Sequence, residues 1–422
     1  MEKQKATWTP LEDDLLASSY FEQVIPSKFY YFKKFGEFTE LDFKIVFAML
    51  KGGPDGPRNV SRIAKELRLS QQTVNYRVQR FDTEDLVRFR AVINEPLLGL
   101  SNYAVIATVR PGLTYDNKEG TAINAGTFMT CYPIWRLLMA VHGAATHGFF
   151  ALYSIPPKKE SDLRTFFDEL KKVKCTMRVD EFCKVTQSYY NTPPLESYLE
   201  MREAIARNQP VSFDWEKWGC DFDEAAEAVM PEERAEVQVP FTYEDLLIIF
   251  YLEKNLRERF VDMTKSVGES SSKIARRYEE LLKCRLIIGC RAEIYPVNPA
   301  TSMYFTLKLD FVNGVALRKF VSHLDKVPYP VAYQKVIGEE TIFLHVIIPS
   351  YEHFEFYNVF ELLNRRQEII SNVNLYVSNY LSKLDNIALY QAFSRDKKEW
   401  AFSKDTVFRA LHKLIDDTRF KF

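Results

Sequence analysis

One short stretch carries the residues best suited to chemistry. From Leu69 to Val78 the chain reads Leu-Ser-Gln-Gln-Thr-Val-Asn-Tyr-Arg-Val. At helical spacing Val74, Val78 and Phe81 fall on one stripe, and Gln72, Asn75, Tyr76 and Gln79 on the opposite one, with Gln71, Arg77 and Arg80 beside them. Asn and Gln side chains can bond the N6 and N7 atoms of adenine together in a major groove. Gln71, Gln72, Asn75, Tyr76 and Gln79 are therefore the candidate base-reading set. Arg62, Lys65, Arg68, Arg77, Arg80, Arg88 and Arg90 surround them as candidates for phosphate contacts. A solvated polar helix face is the plainer reading of the same residues.

The unit that holds this stretch occurs twice. Phe38-Thr39 with Asp42 matches Phe241-Thr242 with Asp245, and Val74, Val78, Phe81, Leu86 and Pro96 align without a gap with Ile274, Tyr278, Leu281, Leu286 and Pro296. In the second copy the reading stripe becomes Ser272, Ala275, Arg276 and Glu279, so its amides are lost. Lys273, Arg276, Arg277 and Lys283 remain and point to backbone contact or packing in place of base discrimination. A duplicated module makes a covalent pseudo-dimer, which suits a reader of two half-sites on nucleic acid.

Charge follows the repeat. Arg58 to Arg90 holds eight Lys/Arg against four Asp/Glu, and Arg257 to Arg291 nine against five, although the whole chain has a net charge of −1. Local positive charge of this kind serves phosphate binding without coating the protein. Between the copies, Phe213 to Glu236 is acidic, with nine Asp/Glu against two Lys/Arg. It reads as a solvated spacer or as a cover for one reading head.

At 422 residues the chain is too long for one core and calls for two to four domains. No apolar run approaches a membrane span, and the charged start Met1-Glu2-Lys3-Gln4-Lys5 precedes no apolar signal core, so a cytoplasmic protein is expected. The six cysteines are scattered without C-x-x-C spacing, the six histidines form no metal pair, and no phosphate-binding glycine motif is present. The expectation is a protein without metal or cofactor that is not an enzyme.

The elements that would position these residues follow in order. Residues 1–37 form an aromatic-rich N-terminal arm. Residues 38–97 read as a winged helix-turn-helix: Leu41, Ile45, Ala48 and Met49 line a first helix, a Gly/Pro cluster from Lys51 to Pro57 breaks it, and Ser70 caps the third helix. Leu86 to Ile93 would be a two-stranded wing. Residues 98–190 change period to strands at Tyr103–Val109, Ile134–Val141, Gly148–Ile155 and Glu181–Tyr189, with a helix over Ser161–Val173; the order is βαββαβ, the ferredoxin-like arrangement. Residues 191–239 are a linker with the acidic segment. Residues 240–298 and 299–384 repeat the winged helix-turn-helix and the ferredoxin-like domain, and 385–422 form a helical tail that docks on the body or on a partner. The fold class is α+β.

The string Leu69-Ser-x-x-Thr-Val-x-x-Arg77-Val78, followed by a wing and a βαββαβ domain, resembles the Lrp/AsnC (feast/famine) family of transcription regulators, here in a tandem, archaeal type. The resemblance covers about 38–190 and again 240–384. It implies a sequence-specific regulator that binds double-stranded DNA, has no membrane partner and forms a homodimer through its ferredoxin-like sheets. It also implies a small-molecule effector, an amino acid, held by a Gly and an acidic residue in the turn after the second strand. The matching turns keep Gly143 without a carboxylate in the first unit, and Gly338 with Glu339 in the second. An architectural DNA- or RNA-binding protein, and an interaction scaffold that inherited the fold, are the competing readings.

Overall fold

The computed structural model describes residues 32–109, 114–117, 122–123, 125–143, 147–172, 177–191, 193–228, 230, 238–365, 369–379 and 383–421. Most of the expected N-terminal arm lies outside the described residues, although Phe35 is fully buried against Phe43 and Tyr198.

The first unit opens with α1 (Glu40–Lys51), started by a capping box in which Thr39 and Asp42 satisfy each other's backbone amides. Helix α2 (Val60–Glu66) is capped by Asn59, and α3 (Gln71–Thr83) by Ser70, whose hydroxyl accepts from the Thr73 amide. Val74, Val78 and Phe81 bury the inner face of α3 as their spacing predicts. Strand β1 (Arg88–Ile93) leads to β2 (Ser101–Val109), short β3 (Thr114–Asn117) and β4 (Ala122–Ile123), α4 (Ala125–Met129), β5 (Trp135–His142), β6 (His147–Ile155), α5 (Glu160–Lys172) and β7 (Arg178–Val185). A connecting region carries β8 (Tyr189–Tyr190), α6 (Leu195–Ala206) and α7 (Trp215–Cys220). The second unit repeats the pattern with α8 (Tyr243–Lys254), α9 (Phe260–Val267), α10 (Ser271–Lys283), β9 (Ile287–Glu293), β10 (Ser302–Phe311), α11 (Gly314–His323), β11 (Val331–Lys335), β12 (Thr341–Pro349), α12 (His353–Arg365) and β13 (Ile370–Asn379). Strand β14 (Leu384–Asp385) and α13 (Lys404–Asp417) belong to the tail.

The repeat is equally clear in the backbone. Residues with left-handed φ fall at Arg68 and Gly268 before the third helices, and at Asp85 and Arg285 after them. Thr242 and Asp245 rebuild the capping box of Thr39 and Asp42.

The strands form a large antiparallel sheet in the order β7-β2-β6-β5-β13-β10-β12-β11-β8, so each half has its four main strands in the order fourth, first, third, second. The halves join at both ends. Val377 of β13 faces His142 of β5, and Val185 at the end of β7 bridges to Val336 beside β11. One face of the sheet is covered by the helices. The other forms a separate apolar core in which Ala104, Ile106 and Phe150 of the first half meet Tyr304 and Phe343 of the second, with the Phe150 and Phe343 rings 5.5 Å apart. The surface expected to hold a second copy of the chain is thus buried against the chain's own second half.

The expected wing is absent. Instead β1 pairs with β9, two hundred positions away in the repeat frame, and not with a neighbour of its own unit. Arg90 faces Arg291 while Ala91 faces Cys290. Because Arg90 and Cys290 are repeat equivalents, as are Ala91 and Arg291, the two strands meet in a self-complementary register, as identical edges do about a twofold axis.

The segments after each sheet exchange places in the same reciprocal way. After β7, β8 pairs with β11 of the other half, α6 puts Tyr198 against Phe43 and Phe47 of the first head, and α7 docks on the second half. After β13, β14 pairs with β5, Tyr390 packs on Tyr243 and Phe250 of the second head, and Phe402 meets Tyr132 of the first half. The tail therefore docks on the body.

The acidic region is no plain spacer. Trp215, Trp218 and Phe222 are buried, Trp215 Nε1 donates to Glu352 at 2.8 Å, and Glu227 pairs with Arg318 at 2.7 Å. Its anchored part, through Ala228, lies on α11 and α12 and not over α3 or α10; residues 229 and 231–237 lie outside the described residues. No helix among the described residues is long and apolar enough to cross a membrane.

Candidate nucleic-acid interface

Helix α3 is held by its buried stripe and by its N-cap, which leaves its outer face free. Gln71, Gln72, Asn75, Tyr76 and Gln79 are all exposed, and Tyr76 presents 67% of its surface, an unusual amount for an aromatic ring. The structure therefore brings the whole expected reading set to one surface.

The surrounding cations behave differently. Arg77 Nη1 lies 3.2 Å and Arg80 Nη1 3.3 Å from the fully buried Asp42 carboxylate, and Arg80 also pairs with Glu84. Both tie α3 to the cap of α1, so they are braces and not free phosphate ligands. Arg62 donates to the Ala48 carbonyl at the end of α1 and pairs with Glu66. Arg88 pairs with Asp85 at 2.9 Å and Arg90 crosses the strand pair to Glu293 at 2.7 Å. Only Lys65 and Arg68 of the expected set are exposed without an ion pair among the described residues.

The second head repeats the brace. Arg277 Nη1 reaches Asp245 at 2.8 Å, and Lys273 pairs with Glu269 at 2.6 Å. Arg276 is largely exposed with only a loose 3.7 Å contact to Glu280, and Lys283 is exposed. Lys265, the repeat equivalent of Lys65, is also exposed on α9 and was missed by sequence reasoning, although the repeat offset marks it. Glu279 and Glu280 share the outer face of α10 and oppose phosphate binding there.

Two further arginines of the basic stretches lock the heads together. Arg58 lies over the Phe260 ring at 4.3 Å and donates to the Glu258 carbonyl, and Arg257 pairs with Asp82 at 2.8 Å. Each crosses from one repeat to the other.

The two expected effector turns differ in what the structure describes of them. Gly338 has φ +82°, which alone accounts for a glycine there, and Glu339 is exposed beside it. Gly143 is half-buried, and the rest of its turn, 144–146, lies outside the described residues. His345 joins Thr306 Oγ1 at 3.0 Å and Gln334 Oε1 at 2.9 Å, and burial pushes its pKa down to about 3. His142 and His147 touch through their Nδ1 atoms at 2.9 Å across the β5–β6 turn. No group of three metal-ligating side chains occurs among the described residues.

No family model matches the chain, and no curated protein matches it. A solved structure described as "Crystal structure of PH0061" matches 35% of this chain and 99% of its own length, at 18% identity and a TM-score of 0.28.

Proposed function

We propose that this chain is a cytoplasmic, sequence-specific DNA-binding transcription regulator built on the Lrp/AsnC plan. Two helix-turn-helix heads and two ferredoxin-like halves form a covalent pseudo-dimer, and the chain is not an enzyme. The observation that carries the reading is the outer face of α3. Four amides and a tyrosine stand exposed on a helix whose opposite face is locked into the core, within a head that has a symmetry-related twin. In this reading the first head discriminates bases through Gln72, Asn75, Tyr76 and Gln79. Lys65 and Arg68 hold the backbone there, and Lys265, Arg276 and Lys283 contact phosphates from the second head.

The test is fluorescence anisotropy on genomic fragments against random duplex. Asn75→Ala should reduce preference for the specific site by roughly 1–3 kcal/mol and leave binding to random DNA unchanged. Equal losses on both would remove Asn75 from base reading. One observation favours a second reading, an interaction scaffold: most arginines of the two basic stretches are spent inside the molecule. That reading expects no salt-dependent binding to any duplex.

A further inference from the structure

A cavity of about 100 Å³ lies between the paired strands β1 and β9 and the two halves of the sheet, lined from both repeats. Its walls contain Arg136, Glu253, Gln187, Arg291 and His345. Arg136 sits where the β5–β6 register slips between Trp135 and Leu137. Such a bulge re-aims a side chain, and here the guanidinium bonds Glu95 at 2.6 Å and Glu253 at 2.5 Å.

Three groups in this wall have unused bonding capacity. Glu253 is 6% exposed, yet its Oε2 has no partner, and neither has the buried Oε1 of Gln187. Arg291 lies over the Tyr190 ring at 4.8 Å, and its guanidinium makes no hydrogen bond among the described residues. A buried acceptor left without a donor costs roughly 1–3 kcal/mol, so such groups call for an occupant. The unused groups have a definite polarity. Arg291 offers a planar fork of donors, which matches a carboxylate, while Glu253 and Gln187 offer acceptors, which need O–H or N–H donors.

We infer that this cavity binds a small hydroxylated carboxylate, its carboxylate on Arg291 and its hydroxyls on Glu253 Oε2 and Gln187 Oε1. Hydroxyls fit Gln187 better than an ammonium because the amide is neutral, and Glu253 already shares the Arg136 guanidinium with Glu95. The size admits a molecule of a few carbons. The wall sets three cations, Arg136, Arg291 and Lys383, against three carboxylates, Glu95, Glu253 and Asp385, with Lys383 paired to Asp385 at 3.4 Å, so it lacks the excess negative charge that a metal cation would need. His345, held neutral by burial, adds no charge to the site.

The test uses the full chain without DNA, so it is independent of nucleic-acid binding. Calorimetry and thermal unfolding would compare glycerate with propionate, which lacks hydroxyls, with glycerol, which lacks the carboxylate, and with alanine, which carries an ammonium. Glycerate should bind at least tenfold more tightly than the other three and raise Tm. Arg291→Gln should abolish that binding, and Gln187→Leu should reduce glycerate to the level of propionate. Gln187→Leu removes an amide that makes no side-chain hydrogen bond among the described residues, so it stays informative if Arg291→Gln does not fold. Binding of none of the four, glycerol equal to glycerate, alanine tighter than glycerate, or unchanged affinity in Gln187→Leu would each overturn the assignment.

Discussion

Arg77→Ala separates a brace from a phosphate ligand. In the wild type, Arg77 Nη1 lies 3.2 and 3.3 Å from the two Asp42 oxygens. Without it, Asp42 still accepts from the Thr39 amide at 2.8 Å, from the Thr39 hydroxyl at 2.7 Å and from Arg80 at 3.3 Å. The loss is therefore not the 3–5 kcal/mol of an orphaned buried charge. It is one charge-assisted hydrogen bond, about 1.5–3 kcal/mol. Because the Arg77 side chain keeps 26% exposure, the lower end applies, about 1.5 kcal/mol. The twin substitution gives an internal check. Asp245 has only the cap of Thr242 besides Arg277 among the described hydrogen bonds, so Arg277→Ala should cost more, about 2–3 kcal/mol. Urea denaturation reads both values. Salt-titrated DNA binding supplies the second arm: Arg77→Ala should leave the slope of log K against log salt intact. Lys65→Ala with Arg68→Ala should flatten it by about 1.8, from roughly 0.9 per phosphate contact. A flattened slope in Arg77→Ala with unchanged stability would refute the brace.

Three other outcomes follow from the packing. The His345 pKa in the fold, about 3, lies below its unfolded value near 6.5, so its share of stability is complete above pH 6.5 and is lost as pH falls toward 3. The slope in that window should reach about 1.4 kcal/mol per pH unit, and His345→Gln should flatten the difference curve; parallel wild-type and variant curves would contradict it. Trp215→Ala should cost about 3–5 kcal/mol by denaturation, because the indole is buried between Phe213 and Phe356 and bonded to Glu352; a loss below 1 kcal/mol would mean that the acidic region is not anchored. Arg136→Ala should cost about 3–5 kcal/mol at neutral pH by leaving Glu95 and Glu253 buried together, with part recovered at acidic pH as Glu253, whose pKa burial already raises, takes a proton; a pH-independent loss would argue against the ion triad.

Local features were legible in the sequence and long-range ones were not. Ser70 as cap, the buried stripe of Val74, Val78 and Phe81, and the exposed stripe of Asn75 all follow from helical spacing and local hydrogen bonding, which act within a few residues. The partner of β1 is a different matter. A strand's alternation shows which face is buried but not which edge it meets, so β9 could not be inferred and a local wing took its place. The ion pairs of the arginines are illegible for the same reason, since Asp42 sits 35 positions before Arg77 and only the fold brings them together. In the acidic region, charge masks the spacing of Trp215, Trp218 and Phe222, which marks one buried face along α7 and the turn after it. The cavity carries no sequence signal, because its walls come from both repeats.

The self-complementary meeting of β1 and β9 has a consequence in mass action. Two separate chains joined by such an edge would share their stability with protomer concentration, and dilution would dissociate them. In one chain the encounter is intramolecular, at an effective concentration set by the tether and untouched by dilution. Unfolding midpoints should accordingly stay fixed over a wide range of protein concentration. Fusion also removes the requirement that every change appear twice. Arg136 can grip Glu253, whose repeat equivalent is Leu50, and one helix can keep its amides while its twin becomes Glu279 and Ala275. Identical subunits cannot specialise in this way, because any change in one is imposed on the other.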